Sequence, residues 1–323
     1  MSETILSVEQ LRVTIGGHSV VDGVDFSIGA GEIVTLVGES GCGKSMTAFA
    51  VMGLLPPVAT LSQGRVSLDG QVIADGGQEA VKRVRGNGMA MIFQEPVASL
   101  NPLMPIGRQI AESLIVHRRI GRREAKRQTI AMLSEVGIPE PELRYAQYPF
   151  ELSGGLCQRA MIAMALITRP KLLIADEPTT ALDVTIQAQI LDLMKRLREE
   201  TNTAILLITH DMGVVADIAD RVAVMYAGRI VETAAVDDIF ARQAHPYTRL
   251  LLSTIPRLDG EAKTVLPTIR GTVPGIGSWP EGCRFSTRCP LADDDCRLVP
   301  PLLPAGPGRL AACWHQDRVG ELA

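Results

Sequence analysis

An α/β fold built on a mostly parallel sheet, with a helical insertion and a loop-rich tail, is predicted by three features of the chain. Strand-like apolar runs alternate with amphipathic helical stretches. One such run, residues 33–37, enters a glycine-rich loop that opens a helix. Another, residues 172–175, ends in the carboxylates Asp176 and Glu177.

The elements follow in order. Residues 8–14 and 20–28 alternate apolar and polar side chains around Gly16-Gly17-His18, which predicts an antiparallel hairpin. Residues 33–37 have buried-strand character, and residues 45–55 form an apolar helix that Pro56-Pro57 should end. Strands are expected at 65–68 and 89–93. From about 97 to 168 the pattern is helical, with the charged stretch 118–127 on a solvent face. Strands return at 172–175, 204–209 and 221–225, separated by helices at 184–200 and 212–219. Beyond His245 the chain is dense in proline and glycine, so the tail is expected to be loop-rich and too poor in periodic apolar residues for a large core of its own. No internal repeat is found.

Composition narrows the class. At roughly 100–200 residues per domain, 323 residues suggest two domains, or one with appendages. Apolar content of 46% and charged content of 21% exclude disorder for most of the chain. A net charge of −4 provides no global basic field, so nucleic acid is not an expected partner. No run approaches the roughly 18 apolar residues of a membrane span. The start, MSETILSVEQ, lacks the basic-then-apolar order of a secretory signal. A soluble, intracellular protein is expected.

Gly38-Glu39-Ser40-Gly41-Cys42-Gly43-Lys44-Ser45 fits GxxxxGK[ST] between an apolar strand and a helix. Its glycines let backbone N–H groups turn toward phosphate oxygens, and the helix N-terminus adds positive potential. Lys44 can reach the β- and γ-phosphates, and the Ser45 hydroxyl can ligate Mg²⁺. Asp176, at the C-terminal end of a buried strand, would hold Mg²⁺ through water. Glu177 is placed to polarise the attacking water. Ser153-Gly154-Gly155, just before an amphipathic helix, offers a hydroxyl and bare N–H groups as a second anion site. One chain cannot easily bring both anion sites onto one nucleotide, but two chains arranged head to tail can.

Together, residues 38–45, Gln94, residues 152–159, residues 172–177, Ala181-Leu182-Asp183 and His210 resemble the nucleotide-binding subunit of ABC transporters over about residues 6–240. The resemblance implies a P-loop NTPase cassette: a RecA-like core, an antiparallel β subdomain and a helical signature lobe at about 97–168. It implies that Gln94 links the metal and attacking water to the membrane partner. It also places Asp183 at the dimer seam and His210 at the γ-phosphate.

Wording around these motifs, including MIFQEPVASLNPL, MYAGRIVE, HPYTRLLLSTIP and GCRFSTRCP, is similar to the ATPase subunits of oligopeptide and dipeptide importers. This divides the chain into a cassette, 1–240, and an importer-type C-terminal extension, 241–323. Such a subunit works on the cytoplasmic face of the bacterial inner membrane. Its implied partners are a second ATPase chain (paralogous or identical), two transmembrane permease subunits and, through them, an extracytoplasmic solute-binding protein. Two departures stand out. Ile15 falls where an aromatic commonly stacks on adenine, and Cys157 where a basic residue is frequent.

Cys283, Cys289, Cys296 and Cys313 crowd the tail. None is spaced as in the tight CxxC pairs of structural zinc, and wider spacing suits a larger inorganic core. Similar importer ATPases carry a [4Fe-4S] cluster here; zinc and no metal are the alternatives. Because every expected nucleotide ligand precedes residue 211, the tail should leave ATP binding alone. Cys42 and Cys157 should become buried when two chains close on nucleotide. The rival function is a soluble ABC ATPase of DNA repair or chromosome maintenance, but the heptad insertions of that class are missing between Ser45 and Ser153.

Overall fold

The computed structural model of the chain describes residues 3–75, 79–179, 184–255 and 268–322. Its strands, in chain order, are β1 (Thr4–Ile15), β2 (His18–Gly29), β3 (Ile33–Val37), β4 (Ala59–Leu68), β5 (Gln71–Asp75) and β6 (Met89–Ile92). Then come β7 (Leu172–Asp176), β8 (Ala204–Ile208), β9 (Arg221–Tyr226), β10 (Arg229–Ala235), β11 (Leu303–Gly306) and β12 (Arg309–Ala311). One sheet has the order β2-β1-β4-β5 and is antiparallel. The other has the order β11-β12-β10-β9-β3-β8-β7-β6, with β9, β3, β8, β7 and β6 parallel.

β3, β7 and β8 are buried at every residue, as expected of parallel strands covered on both faces. The expected hairpin forms through a two-residue turn, in which Gly16 and Gly17 have φ of 55° and 82°. After β3 the chain enters the helix Lys44–Met52. This helix stops earlier than the prolines require: Gly53 adopts φ 62°, and the N–H groups of Gly53 and Leu54 return to Ala50 O and Phe49 O. A glycine C-cap, not Pro56-Pro57, therefore ends it.

The helical stretch holds Ile106–Arg118, Arg122–Glu135 and Gly154–Leu166 as its longer helices. Arg119, left-handed at φ 53°, and the extended Gly121 break the expected charged face into two helices. β5 and β10 are strands that the apolar pattern did not reveal. β10 returns antiparallel on β9 through Ala227-Gly228, with φ of 46° and 84°.

The tail departs furthest from expectation. It is rich in loops, yet β12 extends the main sheet by pairing Glu232 with Ala311 and Thr233 with Leu310. Tyr247 and Phe285 pack on Tyr226 with ring centroids 4.7 and 5.1 Å away, in a core that also contains Val37, Val224 and Ile239. Glu232 is fully buried and accepts the N–H groups of Ala244 (2.7 Å) and His245 (2.9 Å). The extension thus borrows its core from the strands of the main sheet. Pro256 and Pro267 lie outside the described residues.

A buried ion network adds to this joint. Asp22 on β2 pairs with Arg12 (3.0 Å), Arg229 (2.7 Å) and Arg284 of the tail. Burial raises the Asp22 pKa, but the Arg229 hydrogen bond and the charges of Arg229, Arg284 and Arg12 outweigh it, leaving it below 3.8. A depressed carboxylate stabilises the fold fully at neutral pH, and this contribution fades only as pH falls below 3.8. Asp22→Ala is expected to lower stability by about 3 kcal/mol at pH 7, because three guanidinium groups lose their counter-charge. Thermal melts at pH 7 and pH 3 check this: the deficit should shrink at the lower pH.

Candidate active site

The phosphate loop lies between β3 and the helix Lys44–Met52, and two of its glycines are sterically required. A Cβ on Gly38 would strike the Met225 carbonyl, and one on Gly43 would lie 2.9 Å from both Val20 O and Met225 Cε. Both glycines also have positive φ, 152° and 105°. Lys44 Nζ donates to the carbonyls of Gly38 (2.7 Å) and Glu39 (3.1 Å), so the loop curls around its own lysine. Only 6% of Lys44 is exposed, which holds the cation where phosphate oxygens would gather.

Parallel register carries the other groups to the same level. Leu36 on β3 lies opposite Ile208 on β8, and Ile208 lies opposite Asp176 on β7. Ser45 Oγ then donates to Asp176 Oδ1 at 3.2 Å. Burial, assisted by the charge of Glu177, raises the Asp176 pKa against the opposing effects of Ser45 and Lys44. A desolvated carboxylate beside a hydroxyl is an oxygen-donor pair that suits Mg²⁺.

Glu177 adopts the left-handed conformation at φ 47°, unusual for a non-glycine residue, and its N–H is tied to Ile208 O at 2.9 Å. Its carboxylate accepts Gln94 Nε2 at 3.0 Å through one oxygen and faces His210 Nδ1 at 3.1 Å through the other. The structure therefore brings Gln94, Glu177 and His210 into one cluster beside Asp176. Gln94 contacts Glu177 here rather than Ser45 or Asp176.

Residues 21–180 match the ABC transporter family, and residues 231–296 match the oligopeptide/dipeptide transporter C-terminal region. The oligopeptide transport ATP-binding protein OppD of Escherichia coli is 48% identical, over 97% of this chain and 94% of its own. The dipeptide transport ATP-binding protein DppD of Bacillus subtilis is 46% identical, over 99% and 97%. The chain belongs to the ATP-binding subunits of oligopeptide and dipeptide ABC transporters. A dimeric, post-hydrolysis ATP-binding cassette, MJ0796 with ADP and Pi, superposes with a TM-score of 0.65 at 25% identity, over 72% of this chain and 99% of that one. The ABC cassette fold and ATPase class expected from the motifs are those of this ABC ATPase, and nothing in the comparisons favours a DNA-repair role.

In this importer-type ATPase, Ser153 and Gly154 stand at the start of the helix Gly154–Leu166. Ser153 caps the helix Gly154–Leu166 by accepting Leu156 N–H at 3.4 Å, and Ser153 and Gly154 are exposed. Apart from the adjacent residues and the helix's own backbone, no atom of the described residues comes within 4 Å of a Cβ placed on Gly154 or Gly155. Both positions therefore face open space at the start of the helix. Ile15 ends β1, half-buried against the core that also holds Ala48 and Leu61. Asp183 lies outside the described residues.

Two expectations need correction. Cys42 and Cys157 are already 0% exposed in the single chain, so dimer closure is not what buries them. Burial also raises both thiol pKa values, and Cys157 Sγ lies 3.4 Å from Pro149 O. The tail, for its part, touches the phosphate loop directly. Tyr247 Oη accepts Glu39 N–H at 2.8 Å, and Arg288 binds the Glu39 carboxylate. Sequence reasoning missed both residues, although HPYTRLLLSTIP and GCRFSTRCP contain them; only a paired contact across the whole chain could have revealed their roles.

Glu177→Gln is expected to keep MgATP binding while lowering turnover at least 100-fold, because the water loses its polarising carboxylate and the phosphate loop is untouched. Steady-state ATPase and nucleotide-binding assays check this; turnover within a few-fold of wild type would make another group the base. Alkylation of Cys42 and Cys157 should be slow both with and without MgATP, and rapid only after denaturation. Mass-spectrometric mapping of iodoacetamide adducts measures this, and strong nucleotide protection would contradict the burial.

Proposed function

We propose that the chain hydrolyses ATP to power uptake of peptides or related small solutes through a membrane-embedded importer. The observation that carries the reading is the match along nearly all of the chain, cassette and C-terminal region together, to oligopeptide and dipeptide transport ATP-binding proteins. We assign residues 1–240 to the cassette and 241–323 to the extension. Among the described residues no helix is long and apolar enough to cross a membrane, which suits a peripheral subunit bound to separate permeases. We place it on the cytoplasmic face of the inner membrane, with two permease subunits, a second ATPase chain and a solute-binding protein acting through the permeases.

Residues 38–45 would cradle the triphosphate, with Lys44 on the β- and γ-phosphates. Magnesium would sit at Ser45 and Asp176, with Gln94 nearby, and would neutralise phosphate charge when bound. Glu177 would orient and polarise the attacking water, and His210 would contact the γ-phosphate. Ser153, Gly154 and Gly155 would complete the site on the partner's nucleotide, with Asp183 at the seam. Gln94, held on Glu177, would report the state of the site to the permease. Ile15 would lie beside adenine.

We also propose that Cys283, Cys289, Cys296 and Cys313 hold a [4Fe-4S] cluster that fastens the extension. All four are free thiols, and Cys283 N–H bonds Cys296 O at 2.9 Å. Burial, then the charges of the neighbouring cysteines, pushes Cys289 up to about 11 and Cys313 up to about 12. Such thiols become thiolates at neutral pH only when metal replaces their protons. Zinc has a natural alternative place: ligand atoms of Asp293, Cys296 and His315 lie within 4.8 Å of one another.

A strain deleted for the chain should lose uptake of labelled di- and oligopeptides and regain it with the wild-type gene but not with Glu177→Gln. Unimpaired uptake of both would sink the transport reading. Anaerobically purified protein should be brown, with absorbance near about 400 nm and about four irons per chain. A colourless preparation with one zinc per chain would sink the iron–sulfur assignment and keep the structural role of the site.

A further inference from the structure

The phosphate loop has an acidic residue at its second position, Glu39, which should repel a triphosphate. The structure compensates it from a distant part of the chain. Arg288 Nη1 donates to Glu39 Oε2 at 2.7 Å and Arg288 Nη2 to Glu39 Oε1 at 3.0 Å, a bidentate pair. The Arg288 side chain is 3% exposed. Its remaining donors are also engaged: Nε bonds Arg270 O at 2.8 Å, and the terminal nitrogens reach Tyr226 Oη and Gly271 O at 3.4 Å. With every side of the guanidinium occupied, Arg288 acts through Glu39 rather than on phosphate.

The backbone of Glu39 is fixed from the same direction. Its N–H points to Tyr247 Oη at 2.8 Å, and its carbonyl accepts Lys44 Nζ at 3.1 Å. Tyr247 is fully buried, tilted against Tyr226 and Phe285. The backbone of one residue of the cradle is therefore held by the extension at its N–H and by Lys44 at its carbonyl.

We propose that Arg288 is a positioning residue for ATP: by holding and neutralising Glu39, it lets the phosphate loop accept a triphosphate, so the cysteine segment that carries it sets nucleotide affinity. The inference rests on residues 38–45 being the nucleotide site. Arg288 directly precedes Cys289, so the folding of that segment and the charge balance of the loop are linked.

The test is the dissociation constant of a fluorescent MgATP analogue on the full-length chain. Arg288→Ala should weaken binding about 10-fold, because Glu39 then faces the phosphates uncompensated. Adding Glu39→Gln to Arg288→Ala should return affinity to within about 3-fold of wild type, which a merely structural loss would not do. Arg309→Ala, which removes another tail arginine whose guanidinium bonds Arg242 O, should leave affinity unchanged. Lys44→Ala should abolish binding. If Arg288→Ala does not fold, Arg288→Lys, which keeps the charge without the fork, should weaken binding about 3-fold.

Wild-type affinity in Arg288→Ala or Arg288→Lys overturns the proposal, as does failure of Glu39→Gln to rescue. Equal weakening by Arg309→Ala also overturns it, because the effect would then be general loosening of the tail. If Lys44→Ala binds normally, the placement of the nucleotide itself fails.

Discussion

The register of three parallel strands fixes the catalytic centre. Because Leu36, Ile208 and Asp176 lie side by side across β3, β8 and β7, the segments leaving these strands emerge at one level of one edge. The phosphate loop, the Asp176–Glu177 pair and His210 are those segments. A slip of one residue in β7 would turn Asp176 to the opposite face. Full burial of all three strands opposes such a slip, since both faces are committed to core packing.

Strain and charge are concentrated where that edge meets the ligand. Glu177 is held at positive φ by the backbone bond to Ile208, and its two carboxylate oxygens are divided between Gln94 and His210. That division joins Glu177 to one residue preceding the longer helices and to one following β8. A change at either neighbour is felt at the carboxylate.

The extension behaves as a bracket more than as an appendage. It adds β12 to the main sheet, contributes Tyr247 and Phe285 to a shared aromatic core, neutralises Asp22 through Arg284 and reaches Glu39 through Arg288. Arg284 adds a third guanidinium to the two that Asp22 already meets, and Arg288 pairs the charge of Glu39 on the phosphate loop. The cassette and the tail are therefore packed and paired as one structure around the phosphate loop.

Sequence by itself determined the parts whose chemistry is local. GxxxxGKS specifies its own turn because glycine conformations and a helix N-terminus are short-range properties. The apolar runs ending at Asp176 and before His210 specify buried strands in the same way. Strands such as β5, β10 and β12 were not legible, since their residues mix polar and apolar types and are strands only because a neighbour supplies hydrogen bonds. The burial of Cys42 and Cys157 likewise depends on packing from elsewhere in the chain. The Glu39–Arg288 pair spans 249 residues, and no spacing rule connects positions so far apart. Only the folded sheet, by laying the tail across the end of β9, brings that arginine to the loop it neutralises.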